Sequence, residues 1–156
     1  MNSESLRIAD QLRRAFTGEA WHGPPLSKLL DDVTPDQALA RPVPSAHCIW
    51  ELVLHIDIYN RIAFEATQNK PMPKLFGTEK DWPTVEDASP VAWAEATRQL
   101  FQTAENLAQA IGGFTDARLL EIVPGRQYDF YRLFHGIVQH GLYHGGQIAM
   151  LKRAAS

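Results

Sequence analysis

The chain has 156 residues, 45% of them hydrophobic and 21% charged, with a formal net charge of −3. That is the make-up of one soluble globular domain with room for a sizeable core, expected to span residues 1–156. The acidic balance argues against a nucleic-acid partner, and no apolar run approaches the roughly 20 residues of a membrane span.

Helical spacing dominates the chain. In LRIADQLRRAF, Leu6, Ala9, Leu12 and Phe16 fall at three- and four-residue steps and form one apolar stripe. Gly18 and the run HGPP interrupt it, and LSKLL resumes it, so the first helix is expected to break in two. Thr34, Pro35 and Gln37 make a capping-box start for a short turn. RPVPS then forces an extended connection. Ser45 is expected to open the second long helix, SAHCIWELVLHIDIYNRIAFEATQ, with Ile49, Leu52, Val53, Ile56 and Ile62 on its buried face. From about Asn69 to Ala88 the period is lost and prolines gather at 71, 73 and 83, which makes a long crossover rather than a tight turn. Ser89 and Pro90 begin a third helix that stops at Gly112-Gly113. Thr115 caps another short turn, and a last helix runs from near Asp129 to about Arg153. No period-2 run is bounded by hairpin dipeptides. The pattern predicts an all-α fold, a four-helix bundle with a long crossover between helices 2 and 3.

A lone cysteine, Cys48, allows no internal disulfide, and the N-terminus lacks the charged-then-apolar order of a signal peptide. Both suit a cytoplasmic location.

The chemistry concentrates in QHGLYHGG, residues 139–146. Phe130, Leu133, Ile137, His140, His144, Gln147 and Leu151 follow the 3-4 spacing of a seam that faces the bundle centre. His140 and His144 therefore project from one face, about 40° and one turn apart, while His135 lies about 140° from His140 and points outward. Two neutral imidazoles in a core need partners, and leaving them unpaired costs on the order of 1–3 kcal/mol per group. A divalent cation takes both acceptors at once, and H-x-x-x-H on a helix is a usual spacing for one. Gly141 stands where a zinc protease would carry its glutamate, so that reading fails. A third ligand must come from elsewhere. Of His22, His47 and His55, only His55 lies deep in a long apolar helix. His55, His140 and His144 are thus the expected metal ligands, with an open fourth position. Three imidazoles suit zinc or nickel first, and iron or copper after them. A ferritin-like di-metal centre is excluded, because the long helices lack paired E-x-x-H motifs. The glycines at 136, 141, 145 and 146 cost about 1 kcal/mol each in a helix interior, which either a cavity or a close helix contact would justify.

The other polar and aromatic residues carry plainer expectations. His135 and Glu51 read as solvated surface groups, with a role beside the metal as the minority reading for Glu51. His47 reads as structural or at a pocket mouth, Cys48 as a packing residue, and Tyr59 as lining the site or packing. Trp21, Trp50, Trp82 and Trp93 read as core or crossover packing.

The stretches GEAWHGPPLSKLL, AHCIWELVLHI, DWP and HGIVQHGLYHGGQIAMLK resemble the DinB family of DinB/YfiT-like metalloenzymes, in order and over nearly the whole chain. The most specific part is H-x-x-Y-H-x-G-Q-I, His140 to Ile148. The resemblance implies a four-helix bundle with a long connection between helices 2 and 3. It also implies a metal site on one histidine of helix 2 and two of the last helix, here His55, His140 and His144. Family members are commonly dimers, so a homodimer is expected. Some relatives are thiol transferases and others metal-dependent hydrolases or isomerases. The expected function is therefore a divalent-metal-dependent enzyme acting on a small molecule. A thiol S-transferase in detoxification, activating a metal-bound low-molecular-weight thiol, comes first. The alternatives are a hydrolase using metal-bound water and a non-catalytic metal-binding protein.

Overall fold

A computed structural model describes residues 3–155, so Met1, Asn2 and Ser156 at the ends of the expected 1–156 domain lie outside the described residues. The fold is all-α, with seven helices among the described residues: α1 (Glu4–Phe16), α2 (Leu26–Leu30), α3 (Pro35–Leu39), α4 (Ile49–Thr67), α5 (Pro90–Gly112), α6 (Asp116–Leu119) and α7 (Phe130–Ala154). Among the described residues the only β pairings are the isolated bridges Ala20–Gly23 and Ile122–Asp129. Four long helices carry the packing. α4 lies against α5 and α7, and α1 lies against the same two.

Local chemistry sets the helix starts. The Thr34 hydroxyl accepts the Gln37 N–H at 3.3 Å while the Gln37 side chain accepts the Thr34 N–H at 2.9 Å, closing the expected capping box. Ser89 and Thr115 accept from the N–H three residues on, capping α5 and α6 as read from sequence, and Asp129 does the same at the start of α7. The start of α4 differs from expectation. The cap is Cys48, not Ser45, and Ile49 is the first helical residue. The reason is the third residue after each candidate cap. After Cys48 it is Glu51, whose carboxylate reaches back to accept the Cys48 N–H at 3.0 Å, whereas after Ser45 it is Cys48 itself. Residues 41–48 instead form a turn before the helix rather than the expected extended connection, the Ala46 N–H donating to the Val43 carbonyl at 3.0 Å and Arg41 donating to the Ala46 carbonyl at 2.9 Å.

The core is aliphatic with an aromatic knot of Phe114, Phe130 and Phe134, in edge contacts of 5.0 and 5.2 Å from Phe114. Gly141 explains how α1 and α7 come so close. A Cβ there would stand 2.7 Å from Cε2 of the buried Phe16 ring. That glycine serves helix contact. Gly136 and Gly146 face open space. Trp50 and Trp93 pack together at 5.1 Å, and Trp93 donates its indole N–H to the Val33 carbonyl at 2.8 Å. Trp21 corrects the packing expectation, for it is fully exposed in the loop after α1. His135 is also corrected. It is half-buried against Tyr131, ring centroids 4.5 Å apart, and its Nε2 has no partner.

The crossover, residues 68–89, is irregular, with turns closed by the Thr78 N–H on the Leu75 carbonyl and the Asp81 N–H on the Thr78 carbonyl, and it is tethered. The Met72 N–H donates to the Pro124 carbonyl at 2.8 Å, and Arg126 donates to the Pro73 carbonyl. Farther on, Gly77 donates its N–H to the Asp81 carboxylate at 3.3 Å. These ties bring Asp81 and Trp82 down onto α4.

Candidate metal centre

α4 and α7 run antiparallel. Leu52, near the start of α4, lines one cleft with His144 and Leu151 of α7, while Tyr59, a turn beyond His55, lines another with His140 and Leu133. Between them His55, His140 and His144 converge, each offering a ring nitrogen within 4.8 Å of the others. His140 Nε2 lies 3.0 Å from His55 Nε2 and 3.1 Å from His144 Nε2. His55 and His144 are each about 5% exposed, and His140 is half-buried.

The far nitrogens fix the tautomers. His55 Nδ1 lies 2.6 Å from the Asp81 main-chain carbonyl, which can only accept, so Nδ1 carries the hydrogen. His144 Nδ1 donates likewise to the Gln147 side-chain oxygen at 2.6 Å. In the neutral rings both Nε2 atoms are therefore bare lone pairs aimed at His140. His140 can offer at most one hydrogen between them, and its own Nδ1 is buried without a partner. Without a cation, at least one buried acceptor is left unmet.

Protonation does not resolve this. Burial holds all three imidazoles below the ordinary histidine range, and for His140 the neighbouring rings add to it, bringing it down to about 3. At neutral pH the cluster is three uncharged nitrogen donors. A tetrahedral ion with bonds of about 2.0–2.1 Å sets its ligand nitrogens about 3.3 Å apart, close to the 3.0 and 3.1 Å that separate His140 Nε2 from the other two rings. The donor set fits a divalent cation.

The surroundings hold the rings in place. The Trp82 indole stacks on His55, 3.8 Å between centroids and 7° between planes, and on His47 from its other face at 3.5 Å and 4°. Asp81 is buried, and its carboxylate accepts the Tyr59 hydroxyl at 2.8 Å. Burial first, then that bond, pushes the Tyr59 hydroxyl up, so it stays protonated. Glu51 is not the expected solvated group. Burial alone would raise its carboxyl, but Arg41, the Cys48 N–H and His47 together hold it below the usual range. It thereby fixes His47 under Trp82. Burial raises the Cys48 thiol, keeping it protonated as a packing group. His22 lies exposed in the loop after α1 and takes no part in the cluster.

Each end of the cluster opens into a cleft. One of about 380 Å³ borders His144 and is walled by Val43, Leu52, Trp82, Met150 and Leu151. The other, about 240 Å³, borders His140 and Tyr59. Among the described residues no helix is long and apolar enough to cross a membrane.

The three imidazoles stand together as the seam and helix depth predict, whereas Trp82 was expected only to pack, Gln147 only to lie on the seam, and Asp81 had no expected role. The signal for Gln147 was present, since it lies one turn after His144 on the same seam. The crossover residues Asp81 and Trp82 carry only the DWP stretch of the family resemblance and no periodic signal, because their position depends on tethers from the segment before α7.

A profile of the DinB superfamily matches residues 21–148 of the chain. No curated protein and no solved structure gives a significant match.

Proposed function

The chain belongs to the DinB superfamily, and on that premise we propose that it is a divalent-metal enzyme whose ion is held by His55, His140 and His144. The observation that carries this reading is the pair of bare Nε2 lone pairs, fixed by Asp81 and Gln147, facing the third imidazole at 3.0 and 3.1 Å. Zinc or nickel suits the donors best, with iron or copper next. A cation held by three imidazoles supplies a Lewis acid at its remaining position, favouring the anionic form of a thiol or of water there.

The reaction we propose is displacement at an electrophilic carbon: the thiol gives up its proton to solvent, its sulfur forms the new carbon–sulfur bond, and the group on that carbon, such as chloride, leaves with its bonding pair. A thiol begins near pKa 8.5 and needs little help to ionise, whereas water begins near 15.7 and usually relies on a nearby carboxylate base as well. Among the described residues no aspartate or glutamate lines either cleft beside the imidazoles. Asp81 is the acid nearest the cluster, and its oxygens are taken by Tyr59 and the Gly77 N–H. That favours the thiol over the hydrolytic alternative. In the chain's own terms, Trp82 stacks on His55 and excludes water from one side. The walls of the larger cleft suit an apolar electrophile. A detoxification role in the cytoplasm and a homodimeric assembly belong to the same reading.

The test is turnover of zinc- or nickel-loaded protein with an electrophile such as chlorodinitrobenzene, with and without added thiol. We expect turnover only when metal and thiol are both present. Equal turnover without thiol would overturn transfer in favour of hydrolysis. Equal turnover without metal would overturn the metal reading.

A further inference from the structure

The smaller cleft has a polarity that the larger one lacks. Arg132 stands at its edge in the first turn of α7, its guanidinium carbon 5.6 Å from the centre of the Tyr128 ring. Its backbone N–H is taken by the Asp129 cap, but among the described residues the guanidinium has no acidic partner. Four residues on, Gly136 lines the same cleft with nothing within 4 Å of where a Cβ would be. Four further on comes His140. Residues 132, 136 and 140 are successive steps along one helix face, about 12 Å from end to end. The middle step is bare backbone. A glycine costs about 1 kcal/mol in a helix interior, and neither a neighbour nor a positive φ requires this one. It leaves an open path from the Arg132 guanidinium to the imidazole cluster. The larger cleft is walled by Val43, Trp82 and Met150 and has no arginine or lysine.

We propose that the smaller cleft binds the carboxylate end of the substrate. Arg132 anchors the acid, Gly136 gives the floor over which it lies, and its reactive end reaches His140. The substrate class is a small carboxylic acid whose reacting atom is separated from the carboxylate by a chain of about six atoms, given that the arginine side chain covers part of the roughly 12 Å. The apolar cleft beyond His144 takes the uncharged partner, so the two ends of the site fix the direction in which the molecules lie. A guanidinium suits this role because its donors match both carboxylate oxygens. The proposal rests on the metal reading for what happens at His140, but the anion anchor itself does not.

Isothermal titration of tag-free protein tests it, with ω-mercaptohexanoate and its uncharged analogue ω-mercaptohexanol as probes of the zinc-loaded form and hexanoate as the probe of the metal-free form. We expect the acid to bind about tenfold more tightly than the alcohol. The preference should vanish in Arg132→Gln and be partly kept in Arg132→Lys. Gly136→Leu should weaken both thiols by at least as much while leaving the protein no less stable than wild type, since no side chain is displaced. Equal affinity for acid and alcohol, or an undiminished preference in Arg132→Gln, would overturn the proposal while leaving the metal centre intact. Arg132-dependent binding of hexanoate to a protein that takes up no zinc would uphold the anchor and overturn the metal reading instead.

Discussion

Alanine substitutions at two glycines of α7 should move stability in opposite directions. Gly141→Ala puts a Cβ 2.7 Å from Phe16 Cε2 and 3.1 Å from Cζ, in a ring that is 1% exposed and packed on every side. Carbon atoms rest at about 3.5–4.0 Å, so the overlap approaches 1 Å and must be relieved by moving the ring or the helices. Overpacking of this kind costs about 1–3 kcal/mol, against about 1 kcal/mol gained by replacing a helical glycine. The balance is a net loss of about 1 kcal/mol, or a melting temperature lower by roughly 2–4 °C for a domain of this size. Gly146→Ala meets nothing within 4 Å and should keep the whole gain, raising stability by about 1 kcal/mol. Urea unfolding followed by far-UV circular dichroism would give both, with metal content measured alongside. Shifts of the same sign and size would refute the packing argument. Loss of metal in Gly141→Ala without loss of stability would mean that this glycine serves the site rather than the α1–α7 contact.

Three further outcomes follow from the site. Gln147→Leu removes the acceptor that fixes the His144 tautomer, so zinc affinity should fall about 10–100-fold in a competition titration with a chromophoric chelator. Tyr59→Phe leaves one oxygen of buried Asp81 without its 2.8 Å donor, costing about 1–3 kcal/mol and loosening the crossover, which hydrogen exchange over residues 75–82 would detect. In metal-free protein the folded pKa of His140, about 3, lies below its unfolded value, so its contribution is fully present above about pH 6.5. It is lost as pH falls toward 3, because the unfolded chain takes up protons that the folded chain refuses. From His140 alone the loss is about 1.4 kcal/mol per pH unit in that window, and His55 and His144, shifted the same way, add to it. Denaturant midpoints between pH 7 and 4 should fall accordingly, and a flat profile would contradict the buried neutral cluster.

The long helices and most caps were legible because both are local. Thr34 with Gln37, Ser89 with Pro90 and Asp129 before Phe130 carry their signals within four residues. The start of α4 was misplaced by three residues, although the deciding residue, Glu51, was equally local. A serine reads as a cap more readily than a cysteine does. The inward pair His140 and His144 followed from the 3-4 seam, and His55 from its depth in an apolar helix. Asp81 and Trp82 were out of reach of any periodic argument. They come from a segment with no period, and tethers from residues 124 and 126 help set its path over α4. Trp21 failed in the opposite sense, because an aromatic residue in a glycine-proline loop has no face to bury.

The central claim is that three imidazoles on α4 and α7 hold one cation. Elemental analysis of tag-free protein, after exposure to zinc and removal of loosely bound metal, tests it most directly. The account predicts about one ion per chain in the wild type and near none in His55→Ala, whose helix content should be unchanged. Wild-type protein that retains no stoichiometric metal, or a His55→Ala variant that retains it in full, would contradict the account.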